Sequence, residues 1–116
     1  MVVKQYTRRV DDAGRMEKMQ NLTAASTGTQ VTNFGVTVIN STQAKTFQMA
    51  APRPGLRKAI AVVGASTDDI TTLDGDGATI AGSTAVTFDG PGGVELVGIS
   101  TSAWALVGSA GLVALS

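Results

Sequence analysis

The chain has 116 residues, nine Lys plus Arg against nine Asp plus Glu, and neither His nor Cys. That inventory excludes a Ser-His-Asp triad, a cysteine nucleophile, a disulfide and any thiolate or imidazole metal site, and with them most enzyme chemistry. The zero net charge hides a division: nine basic and three acidic residues up to Lys58 give +6, and the six acidic residues from Asp68 onward give −6.

Residues 1–28 read as an N-terminal arm. They are polar and charged, end in the small-residue stretch Ala24 to Thr29, and offer too little apolar surface to fold alone. Val10, Ala13, Met16 and Met19 recur at helical spacing, but Gly14 weakens a helix there by about 1 kcal/mol. The start of the chain has no apolar run of secretory length, so synthesis in the cytoplasm is expected. Ala103 to Leu115, the most apolar stretch, is interrupted by Gly108, Ser109 and Gly111 and falls short of the roughly 20 residues of a bilayer span.

From residue 29 to 116 the pattern is that of a β domain. Val31 to Ile39 is rich in β-branched residues, with Phe34, Val36 and Val38 on one face and Thr37 on the other. Asn40-Ser41 turns the chain, and Lys45, Phe47 and Met49 then alternate with Thr46 and Gln48. Pro52, Pro54 and Gly55 break the pattern before a strand from Arg57 to Val63. Asp74-Gly75-Asp76-Gly77 is a tight-turn sequence, followed by short strands at Ala78–Ala81 and Thr84–Asp89. Gly90 to Gly93 predicts a further turn. Val94–Ile99 and Ala103–Val107 read as a pair joined by Ser100 to Ser102. Ser109 to Gly111 predicts a last turn, into Leu112–Leu115. Short strands at this spacing predict an all-β fold, a small antiparallel sandwich or barrel-like domain.

The aromatic set is small: Tyr6, Phe34, Phe47, Phe88 and Trp104. Small side chains bury little area each, and open strand edges invite pairing, so a closed homo-oligomer is expected. Phe34, Phe47, Phe88 and Trp104 are the candidates for the core or the oligomer interface.

Candidate chemistry is sparse. The Asp74–Gly77 turn has two carboxylates at calcium-loop spacing, but Ala78 and Ile80 stand where further ligands belong, so a turn is the better reading. The acidic residues sit mostly at turns, where a solvated carboxylate is the default, and no enzyme activity or cofactor is expected. Gly90 to Gly93 lacks the Lys-Ser/Thr of a phosphate loop. Only Tyr6 stands near basic residues, at Arg8 and Arg9, and the net charge is zero, which argues against nucleic acid as a partner. Arg53, Arg57 and Lys58 flank the proline turn and could meet an acidic surface on a neighbouring chain.

The run Ala51-Pro52-Arg53-Pro54-Gly55-Leu56-Arg57-Lys58-Ala59-Ile60 is followed by Gly77-Ala78-Thr79-Ile80 and Val86-Thr87-Phe88-Asp89. Val94-Glu95-Leu96-Val97-Gly98-Ile99 and Ser102-Ala103-Trp104-Ala105-Leu106-Val107 complete the succession. Over about residues 45 to 116 it resembles small β-rich structural proteins of tailed bacteriophages, especially capsid decoration (cement) proteins and related head-fibre or tail-fibre modules. The resemblance implies a symmetric homo-oligomer, trimer favoured and dimer possible, seated on the outside of the virion where subunits of its partner, the major capsid protein, meet. It implies stabilisation of the shell and no catalysis, with a fibre or receptor-binding module as the alternative. Contacts with the capsid or a neighbouring subunit are then expected from the arm, at Lys4, Tyr6, Arg8, Arg9, Arg15 and Lys18, and from the turn at Arg53, Arg57 and Lys58.

Overall fold

The computed structural model describes residues 19–26 and 28–116, which carry eight strands and no helix. In chain order these are β1 (Met19–Thr23), β2 (Gly35–Asn40), β3 (Lys45–Gln48), β4 (Arg57–Val62), β5 (Thr71–Asp74), β6 (Thr79–Ile80), β7 (Ala85–Gly98) and β8 (Ala103–Leu115). All join one sheet that curls into a half-barrel. β7 organises it. Along one edge its first half, Ala85–Phe88, pairs with β5, and its second half, Gly92–Val97, pairs with β4. Its other edge is covered by β8. Outside β4 lie β2 and then β1, outside β5 lies β3, and β6 adds to the start of β8.

The all-β expectation holds, but the sheet is mixed rather than antiparallel. β1–β2, β2–β4, β3–β5 and β6–β8 are parallel, and only the three pairings of β7 are antiparallel. A turn sequence marks where a chain reverses; it does not choose the strand paired next, and parallel neighbours need a connection that recrosses the sheet. The Asp74–Gly77 segment illustrates this. Asp76 and Gly77 have φ of 53° and 95°, and the Ala78 N–H donates to the Gly75 carbonyl at 3.2 Å, the primed turn that the sequence predicts. Yet β5 leaves it to pair with β3 and β7, and β6 to pair with β8.

Two expected turns are absent. Gly90-Pro91-Gly92-Gly93 lies within β7, and Ser109-Ala110-Gly111 within β8. The two breaks face each other and cancel. The register between β7 and β8 shifts between Phe88 and Gly92, opposite Gly111, whose φ is +83°. A Cβ at Gly111 would stand 2.3 Å from the Pro91 carbonyl oxygen, so glycine there admits the close crossing of the strands. Proline is tolerated because it stands at this irregularity, where the ladder is interrupted. The result is one long bent hairpin in place of four short strands.

The core gathers Leu22, Val31, Ile39, Phe47, Met49, Ile60, Val62, Leu73, Ile80, Val86, Phe88, Val94, Leu96 and Trp104, all buried. Removing each large side chain from water contributes about 1.5–3 kcal/mol before ordering costs. β1 lies inside the segment read as the arm, yet it pairs along its whole length with β2 and buries Leu22. Residues 19–23 of the segment read as the arm are therefore part of the sheet. β5 was not signalled as a strand: its face alternates Thr71 and Leu73 inward against Thr72 and Asp74, a pattern diluted by threonine.

Candidate functional site

At the proline turn, Arg53 and Arg57 are exposed. The turn is fixed by backbone bonds to the end of β7: the Gly55 N–H donates to the Gly98 carbonyl, and the Gly98 N–H to the Leu56 carbonyl, both at 2.8 Å. Close approach requires glycine at 98, where a Cβ would stand 2.1 Å from the Arg53 carbonyl oxygen. Two guanidinium groups are thus presented on a rigid support.

Lys58 does not join them. It begins the inward alternation of β4 and is 1% exposed. Its ammonium donates to the Thr32 hydroxyl at 2.8 Å, the Phe34 carbonyl at 2.9 Å and the Thr37 hydroxyl at 2.6 Å. Thr37 passes its own proton to Gln20 Oε1 at 2.8 Å, which also accepts from the Thr32 N–H at 3.1 Å. Gln20 Nε2 reaches the Gln30 carbonyl at 2.9 Å. This chain of bonds ties β1, the loop before β2, β2 and β4 together. Lys58 is an internal group in the folded chain, placed there because the step from Arg57 to Lys58 crosses from one face of the sheet to the other.

Of the aromatic candidates, Phe47, Phe88 and Trp104 are buried, whereas Phe34 is 44% exposed on the loop before β2. The arm residues Lys4, Tyr6, Arg8, Arg9, Arg15 and Lys18 lie outside the described residues. The basic-to-acidic division is therefore visible only in part: the described residues hold four basic groups, Lys45, Arg53, Arg57 and Lys58, against all six late acids. Among the described residues no cluster of three or more acidic side chains is arranged to hold a metal ion.

The most distinctive surface was not expected. In β2 the core-facing residues are Thr37 and Ile39, both 0% exposed, so Val36 and Val38 face outward. The register extends this face across four strands in two rows. One row runs Val36, Ala59, Glu95, Gly108; the next runs Val38, Ala61, Gly93, Ala110. Met19 of β1, 62% exposed, continues the first row beyond Val36. The face forms a shallow open depression with Glu95 as its one charge. Small side chains here leave room for another surface to approach the sheet closely. The sequence signal was present in the alternation of β2 and β4, but periodicity does not say which of two faces is covered.

No family model matches the chain, and no curated protein matches it.

Proposed function

We propose that this chain is a structural protein of a bacteriophage virion, a homo-oligomer that binds the outside of the capsid and stabilises contacts between major capsid subunits. The observation that carries the reading is the outward sheet face of Val36, Val38, Ala59, Ala61, Gly93 and Ala110, small and apolar, half-buried on β2, β4 and β7 and exposed at Ala110 on β8. A monomer gains nothing by exposing it, whereas an assembly gains the free energy of covering it. The exposed Arg53 and Arg57, held on the Gly98 support, supply positive charge beside this face for an acidic shell surface. The segment before Met19, with five basic residues among its 18, adds a second set of charged contacts.

The test is sedimentation of a virion lysate followed by detection of this chain. Co-migration with full heads at many copies per particle is the expected result. Migration with tails at low copy number favours the fibre module instead, and absence from both overturns a virion role. Deleting residues 1–18 is expected to abolish binding to heads while circular dichroism still reports the β fold.

A further inference from the structure

Beyond Trp104 the outer edge of β8 has no strand partner among the described residues, although β8 continues to Leu115. Such an edge exposes a row of N–H and C=O groups and is a template for another strand. Soluble proteins protect edges with charge, proline or brevity. The other edges among the described residues carry such protection: β6 has two residues, β3 has four and includes Lys45, and β1 has five and continues from a segment with eight charges. β8 is 13 residues long and contains no charge and no proline. Its stretch from Val107 to Gly111 is exposed, with Val107 at 54%.

From this we infer that β8 pairs with β8 of a second copy, antiparallel about a two-fold axis, joining two sheets into one. Charge selects this occupant. The alternative within the chain is the 18-residue segment before Met19, which carries five basic and three acidic side chains and enters at β1, four strands from β8. It would place those charges along an uncharged edge. Two copies of β8 bring no like charges together, and the edge groups of each supply the donors and acceptors that the other lacks. The pairing also makes the apolar rows continuous between subunits, because Gly108 and Ala110 end those rows at β8. Of the oligomers that the family resemblance allows, this contact builds the dimer. It does not depend on what the assembly binds.

Analytical ultracentrifugation of the full chain across a concentration series tests the inference. A reversible species of twice the 11.8 kDa chain mass is expected. Ser109→Lys and Ala110→Lys place a charge on opposite faces of the uncharged edge, within the paired stretch, and each is expected to weaken dimerisation by about tenfold or more. Val63→Lys, at an equally exposed apolar residue away from β8, is expected to leave it unchanged. Because the chain has no cysteine, single substitutions to Cys from Val107 to Val113 map the axis independently of stability. Oxidation should link only the one or two positions lying across it, and Val63→Cys should not link. A monomer at all concentrations, a trimer, or dimerisation indifferent to both lysine variants overturns the inference.

Discussion

The ammonium of Lys58 on β4 donates to the hydroxyl of Thr37 on β2 at 2.6 Å, and both side chains are buried. Thr37 is the relay of the internal network, because the same hydroxyl donates onward to Gln20 of β1. Replacing it by valine keeps shape but removes an acceptor from the ammonium and a donor from the amide. Thr37→Val is expected to cost about 1–3 kcal/mol, read as a lower urea midpoint at unchanged slope. A loss under about 0.5 kcal/mol would mean that the network relaxes around the change.

Ala81 occupies the left-handed region with φ of 52°, in a turn closed by bonds of 2.7 and 2.9 Å between Ile80 and Ser83. A Cβ is unfavourable there, and asparagine tolerates the conformation better than alanine. Ala81→Asn is expected to stabilise the chain by about 0.5–1 kcal/mol. Ala81→Val should destabilise it by about 1–2 kcal/mol, since branching at Cβ makes positive φ costlier. Thermal melts of the pair check the sign.

Gly98→Ala drives a methyl group into the Arg53 carbonyl and must displace the proline turn from β7. A loss of about 2–3 kcal/mol is expected. If Arg53 and Arg57 contact a partner as proposed, Arg53→Glu and Arg57→Glu should weaken binding without this loss of stability. Comparing the three variants in melts and in co-sedimentation with heads separates support from contact.

Trp104 is 1% exposed, and its indole N–H has no hydrogen-bond partner among the described residues. Trp104→Phe removes that unmet donor along with part of the ring, and the two effects oppose each other. It should cost about 1 kcal/mol, against about 3–5 kcal/mol for Trp104→Ala. As the chain's single tryptophan, Trp104 should also resist acrylamide quenching in the native state and yield to it on unfolding.

The sequence by itself determined the β class, the bounds of β4 to within a residue, the alternation of β3 and the primed turn at Gly75–Ala78. These are local properties: β-branched content, side-chain period and the positive φ that Asp-Gly accepts. It also singled out Phe34, Phe47, Phe88 and Trp104 for the core or an oligomer interface, because large aromatics repay burial; the last three are buried and Phe34 is not. Only the tertiary structure decided which face of β2 is covered, that Lys58 turns inward while Arg57 does not, and that two glycine-rich breaks meet to form one long hairpin. It alone also decided the parallel pairings and the open edge of β8. Those outcomes depend on partners distant in sequence. Whether an alternating strand buries its valines or its threonine is settled by what the neighbouring strands present, and here Gln20 and Lys58 supply the bonds that let Thr37 be buried and leave Val36 and Val38 facing out.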